Sequence, residues 1–167
     1  VGVGAATTLL LARTATASTT SCSSPYPIGV AGQKWGAAEK AEWLATRKVE
    51  RSYADEVLTK LEPLKSRYEV KQYGALSLDE EKYPLFAVST KPWSPSKPSV
   101  LVTGGVHGYE TSGVQGAIAF LETAAEQYSD TFNILVAPCV SPWGYETIQR
   151  WTWTATDPNR SFNPDGE

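Results

Sequence analysis

A single histidine stands three residues before a glutamate in a glycine-rich stretch of this chain. His107 is the only histidine among 167 residues, Glu110 follows it, and Gly104, Gly105 and Gly108 surround it. An imidazole nitrogen and a carboxylate oxygen at this spacing can point at one metal ion. Zinc accepts both, and its catalytic sites use three protein ligands and an open water position. Taken alone, the pattern also fits a surface histidine near a helix N-terminus, but its place among glycines, between a strand and a helix, favours a metal site.

A second polar segment follows later in the chain. It holds Arg150 and the run at 157–162, which reads Asp-Pro-Asn-Arg-Ser-Phe. A guanidinium can bind a carboxylate through two parallel hydrogen bonds, and it can also stabilise an oxyanion that forms during a reaction. The alternative is a pair of surface arginines lying over Trp151 and Trp153. On its own, the second segment favours that simpler interpretation.

Both segments follow candidate strands. Residues 100–103 and 132–137 are short apolar runs, and 112–128 between them carries apolar residues at helical spacing. Strand, helix and strand in this order form a βαβ unit, and ligands of open α/β sheets bind beyond the carboxyl ends of the strands. We therefore expect an α/β fold with a mixed, largely parallel sheet covered by helices. The other predicted elements are helices at 37–47 and from Ser52, strands at 68–73 and 85–90, and a loop over 138–167.

Together, the two segments resemble the zinc carboxypeptidase superfamily, peptidase family M14. The resemblance rests on Gly105-x-His107-Gly108-x-Glu110 after a strand, followed by the Asp-Pro-Asn-Arg-Ser-Phe run, and it covers about 70–167. It is closest to the compact bacterial-type branch, which includes succinylglutamate desuccinylase-like and aspartoacylase-like enzymes.

The resemblance implies a role for each matching residue. His107 and Glu110 would be the first two ligands of a zinc ion. Arg150 would be catalytic, polarising the scissile carbonyl and holding the oxyanion, while Asn159 and Arg160 would bind the terminal carboxylate of the substrate. The implied activity is that of a metallocarboxypeptidase, which hydrolyses a C-terminal peptide bond with metal-activated water.

The family also uses a second zinc-binding histidine and a later catalytic glutamate. This chain has one histidine, so we expect 25–167 to be the N-terminal part of a single catalytic domain that is inactive by itself. Two alternatives remain: an amidohydrolase that deacylates N-acyl amino acids, and a domain that binds carboxylates without catalysis. The expected partner is a peptide or an N-acyl amino acid with a free carboxylate.

Charge and the first residues bear on other partners and on location. A formal charge of −3 argues against a nucleic-acid binder, because such proteins usually carry a basic surface. Residues 1–24 are rich in Ala, Thr and Ser and contain a short apolar run, so they resemble a signal peptide, and the alternatives are a disordered leader or a transit peptide. They are too short and too rich in threonine to span a membrane as a helix. We expect an exported or secreted protein, and otherwise a cytoplasmic one.

Overall fold

A four-stranded sheet is the frame of the fold. The computed structural model describes residues 26–162. Residues 26–34 form turns and bends, and the described helices and strands lie in a second unit that begins at Trp35. The strands are β1 (Glu69–Ala75), β2 (Pro84–Ser89), β3 (Ser99–Thr103) and β4 (Asn133–Ala137). The helices are α1 (Ala37–Ala45), α2 (Thr59–Leu61), α3 (Thr111–Thr123) and α4 (Pro142–Thr147). A π-helical segment, Ala54–Leu58, leads into α2, and 3-10 turns lie at Pro63–Ser66, Ala125–Tyr128 and Pro158–Arg160.

The strand order across the sheet is β1-β2-β4-β3. β3 and β4 are parallel and connected through α3, which confirms the predicted βαβ unit. β1 pairs with β2, and β2 with β4, in antiparallel orientation. The sheet is therefore mixed, as predicted, but the prediction that it is largely parallel is wrong for the described strands. The short connection between β1 and β2 accounts for the antiparallel orientation of that pair, because a parallel pair needs a longer crossover such as α3.

The hydrophobic core lies between the sheet and the helices α2 and α3. Leu121 of α3 and Leu61 of α2 belong to one buried cluster with Val88 of β2 and with Ile134 and Val136 of β4. Burying a side chain of this size contributes about 1.5–3 kcal/mol. This packing fixes α3 on the sheet, and with it the loop that enters α3 from β3.

The observed helices differ from the predicted ones at their ends. The helix predicted for 112–128 ends at Thr123, and a 3-10 turn then covers Ala125–Tyr128. The helix predicted from Ser52 is capped there, since the Ser52 hydroxyl accepts a hydrogen bond from the backbone N–H of Asp55 at 3.0 Å. Its last α-helical residue is Leu61, because a proline at position 63 cannot continue the hydrogen-bond ladder of an α-helix.

The loop predicted for 138–167 is wrong at Pro142–Thr147, which form α4. All six residues of this helix are buried. Proline is tolerated at its first position, where a backbone N–H has no partner within the helix. The carboxylate of Glu146 is satisfied by long-range partners: the backbone N–H of Tyr53 and the hydroxyl of Tyr83 donate to it at 2.9 Å, and Lys82 pairs with it at 2.8 Å. Such partners are what allow a charged residue to be buried.

The predictions about export concern 1–24, which lie outside the described residues together with Cys22. None of the described helices has both the length and the apolar character needed to cross a membrane. Cys139 is buried and forms no disulfide within residues 26–162, and burial raises its pKa to about 12.

Candidate functional site

The loops that follow β3 and β4 lie side by side beyond the carboxyl ends of these strands. The backbone N–H of Val140 donates to the carbonyl of Gly104 at 3.0 Å, and that of Ser141 to Gly105 at 3.0 Å. The hydroxyl of Ser141 donates to the carbonyl of Val106 at 2.7 Å. The loops after the two parallel strands therefore form one surface, at the position where α/β sheets bind ligands.

Glycine is required where the first loop turns and where it touches α4. Gly105 has a φ of +61°, in the left-handed region that glycine adopts without strain. A Cβ at Gly108 would lie 1.9 Å from the carbonyl carbon of Gly144 and 2.1 Å from the nitrogen of Tyr145. The loop thus packs directly on the backbone of α4, and this contact fixes the position of His107.

His107 is buried, and both of its ring nitrogens face carboxylates. Nδ1 lies 2.9 Å from Oε1 of Glu110, and Nε2 lies 2.9 Å from Oδ1 of Asp157. The two carboxylates occupy different edges of the imidazole, so they do not converge on one point. Each ring nitrogen therefore has its own carboxylate partner.

Asp157 is a buried carboxylate on which several donors converge. Its Oδ2 accepts hydrogen bonds from Nη2 and Nε of Arg150 at 2.8 and 3.1 Å, and from Nη1 of Arg160 at 2.6 Å. Its Oδ1 also accepts from the backbone N–H of Asn159 at 3.0 Å. Burial alone raises the pKa of Asp157, but the hydrogen bonds from His107, the arginines and Asn159 outweigh it and hold that pKa well below its usual range. Asp157 is therefore ionised at neutral pH.

The residues predicted from the sequence are brought together at this network. Four of them contact Asp157 directly, and the fifth reaches it through the imidazole. Their chemical roles stay predictions. The five are His107, Glu110, Arg150, Asn159 and Arg160.

Asp157 itself was part of the sequence motif, but no role was predicted for it. A signal was present, because an aspartate before a proline is typical of a helix N-cap. Asp157 does cap the 3-10 turn Pro158–Arg160. What the sequence does not contain is the long-range contact with His107.

A cavity of about 450 Å³ opens beside Asp157. Lys40, Arg150 and Arg160 line it, together with Trp151. The Arg160 side chain is 64% exposed, so its remaining N–H groups are open to solvent. Three cations against one carboxylate leave the cavity positive, which favours an anionic ligand. Lys40 lies on α1 and was missed, because no sequence pattern connects that helix with the site.

The donors at His107 and Glu110 fit zinc. Imidazole nitrogen and carboxylate oxygen are both zinc ligands, and the second nitrogen of a ligating histidine is usually held by an acceptor such as a carboxylate. Asp157 occupies that position. Within 26–162, no group of three or more His, Cys, Asp or Glu side chains is arranged to hold a metal alone. His107 and Glu110 would thus be two of the three protein ligands that a catalytic zinc site uses.

Comparison with known proteins decides the family. Residues 65–166, more than half of the chain, match the Peptidase M14 zinc carboxypeptidase model. This chain belongs to the Peptidase M14 family of zinc carboxypeptidases. The family prediction is thereby confirmed, and the M14 membership accounts for the mixed α/β sheet as part of a carboxypeptidase-like fold.

Individual relatives agree with the M14 assignment. Carboxypeptidase 2 of Trichophyton tonsurans is 37% identical over 95 residues, which are 50% of this chain and 18% of that protein. A candidate metallopeptidase of Shewanella baltica is 27% identical with a TM-score of 0.57, over 65% of this chain and 40% of that one. A metallo-carboxypeptidase of Burkholderia cenocepacia shares the fold, with a TM-score of 0.53 at 16% identity, over 65% of this chain and 32% of its own. The chain spans less than half the length of each.

Replacing Gly108 with alanine tests how firmly α4 sets the loop. The added Cβ would collide with the backbone of Gly144 and Tyr145, so we expect a loss of unfolding free energy of about 2 kcal/mol or more. Gly116 is the matched control, because it lies in α3 and a Cβ there meets nothing within 4 Å. Gly116→Ala should stabilise the protein by about 0.5–1 kcal/mol. Urea unfolding measures both, and equal stabilities would contradict the packing described for the loop.

Proposed function

We propose that this chain carries the metal-binding and carboxylate-binding part of a zinc metallocarboxypeptidase that removes the C-terminal residue of peptides. Membership of the M14 family supports the reaction class. The observation that supports it most within the chain is the network on Asp157, which holds the His107 imidazole and also two arginines that line one positive cavity.

His107 and Glu110 are the residues proposed to hold zinc, through Nδ1 and the carboxylate. The Glu110 side chain is 47% exposed, so solvent and metal can reach it. In this proposal the ionised Asp157 accepts a hydrogen bond from the Nε2–H of His107, which leaves the lone pair of Nδ1 for the metal. When bound in such a site, zinc supplies a water whose pKa is lowered to about 7.

The two arginines differ in how tightly they are held, and this supports different roles. Arg150 places two N–H groups on Asp157 and is 32% exposed, whereas Arg160 places one there and is 64% exposed. A preorganised donor suits the stabilisation of an oxyanion, so Arg150 is proposed to hold the developing charge. Arg160, with the exposed Asn159 beside it, is proposed to bind the terminal carboxylate of the substrate.

The organisation of the protein and its location are proposed as well. Residues 25–167 would be the N-terminal part of one catalytic domain, with the third zinc ligand and a catalytic glutamate supplied elsewhere in the protein. The single histidine and the 18% and 40% coverage of relatives support this. The resemblance of the two motifs supports the compact bacterial-type branch. Residues 1–24 would direct export.

Peptidase activity of the full-length protein tests the proposed function. We expect release of the C-terminal residue from a peptide with a free carboxylate, loss of that activity with a chelator, recovery with zinc, and no activity in His107→Gln. The same peptide with an amidated C-terminus is the matched control and should not be cleaved, because it offers no carboxylate to Arg160.

Other outcomes of the same assay would replace the proposal. Hydrolysis of N-succinyl or N-acetyl amino acids without peptide cleavage would identify a deacylase. A folded full-length protein without stoichiometric zinc would identify a carboxylate-binding domain that is not catalytic.

Substituting each arginine separately tests the division of roles. Arg150→Ala should lower kcat by about 10²–10³-fold, because a donor to the oxyanion is lost. Arg160→Ala should mainly raise KM for substrates with a free carboxylate. Steady-state kinetics on one peptide measures both variants, with Arg67→Ala as a control, because the contacts of Arg67 with Glu122 and Glu126 lie outside the site. Equal changes in both parameters for the two site variants would contradict these roles.

A further inference from the structure

Arg51 lies outside every motif described above, yet its side chain reaches the loop between β3 and α3. Nη2 donates to the carbonyl oxygen of Gly108 at 3.0 Å, and Nη1 donates to the hydroxyl of Thr111 at 2.5 Å. Nε donates to the carbonyl of Tyr145 at 2.6 Å. One rigid, planar guanidinium thus connects the loop, the first residue of α3 and the buried helix α4.

The guanidinium is itself held in place from one side. Its carbon lies 3.5 Å from the centre of the Tyr145 ring, and Tyr145 is fully buried. The hydroxyl of Tyr145 donates to Glu56 at 2.6 Å and accepts from the amide of Gln115 at 2.8 Å. The ring under Arg51 is therefore fixed by partners on two other helical segments.

The backbone of Arg51 is fixed as well. The N–H groups of Glu50 and Arg51 both donate to the carbonyl of Glu146, at 2.8 and 3.3 Å. The side chain of Glu146 binds the next part of the same segment, at the backbone N–H of Tyr53. The segment that carries Arg51 is therefore bound to α4 through its backbone, independently of the Arg51 side chain.

The position of Gly108 explains why this contact matters for the site. Its carbonyl lies between His107 and Glu110, in a turn closed by a hydrogen bond from the N–H of Glu110 to the carbonyl of His107 at 3.1 Å. Rotation of the peptide that carries the Gly108 carbonyl would change how the two side chains face each other. We propose that Arg51 is a positioning residue that holds the His107–Glu110 turn in the form that presents both side chains to zinc. This inference rests on the proposed zinc site and adds to it a residue from a distant segment.

The rival explanation is that Arg51 only stabilises the fold, and Arg67 provides a matched control for that. Arg67 also lies over a tyrosine ring, 5.2 Å from the centre of Tyr68. It also donates to a helix carbonyl, that of Glu122 at 3.2 Å, and it pairs with Glu126. Removing Arg67 therefore removes the same kinds of contact without touching the loop.

Zinc affinity of the full-length protein, measured with zinc alone against a competing chelator, tests the inference. Arg51→Met should weaken zinc binding by about 10–100-fold, the range typical of losing a group that orients a metal ligand. Arg67→Met should leave zinc affinity unchanged. Both variants are measured at a temperature at which circular dichroism shows them folded. Cobalt substitution should give a visible spectrum that is altered in Arg51→Met and unaltered in Arg67→Met. Wild-type zinc affinity in Arg51→Met would overturn the positioning role.

Two further variants keep the result decisive. If Arg51→Met does not fold, Arg51→Lys replaces it, because lysine keeps the positive charge but not the planar fork that reaches three acceptors. Wild-type affinity in that variant overturns the inference. The variant His107→Gln distinguishes failure of the positioning role from failure of the proposed zinc site. Loss of zinc in His107→Gln but not in the Arg51 variant refutes the positioning role alone, whereas zinc retained in His107→Gln refutes the zinc site and this inference with it.

Discussion

The buried carboxylate of Asp157 is the constraint on which the site depends. A carboxylate taken out of water is very costly unless opposite charges and hydrogen bonds replace the solvent. Here His107, Arg150 and Arg160 provide them, together with a backbone N–H. Each of these groups takes a defined position because Asp157 has to be satisfied. The same interaction therefore orients the imidazole that is proposed to bind zinc, and it places two guanidinium groups beside one cavity.

A second buried carboxylate, that of Glu146, supports the position of the His107 loop. Glu146 binds the backbone of Tyr53 and the side chains of Tyr83 and Lys82, and so it ties α4 to segments far away in the sequence. The loop of His107 then packs on α4 without space even for a Cβ at Gly108. The position of the candidate metal ligands is thus set by α4, which contributes no candidate ligand itself.

Local patterns predicted some of these features and could not predict others. The βαβ unit and the glycine-rich loop are predictable because apolar periodicity and the positions of glycine and proline are local signals. The prediction of a loop is wrong at α4, because its Pro, Trp and Gly are typical of loops and its stability comes from burial and from the distant partners of Glu146. Ile148 has a φ of +52°, which is rare for a β-branched residue, and nothing in the sequence indicates that α4 ends there in the left-handed conformation. Arg51 was missed for the same reason, since its acceptors are set by tertiary contacts.

Zinc affinity of the full-length protein with Asp157→Asn is the most direct test of the central claim. Asparagine keeps the shape of the side chain but removes the charge that compensates the arginines and orients His107. The account predicts zinc binding about 10–100-fold weaker than in the wild type, with Asp130→Asn, an exposed position, as an unaffected control. Wild-type zinc affinity in Asp157→Asn would contradict the claim that this carboxylate organises the site.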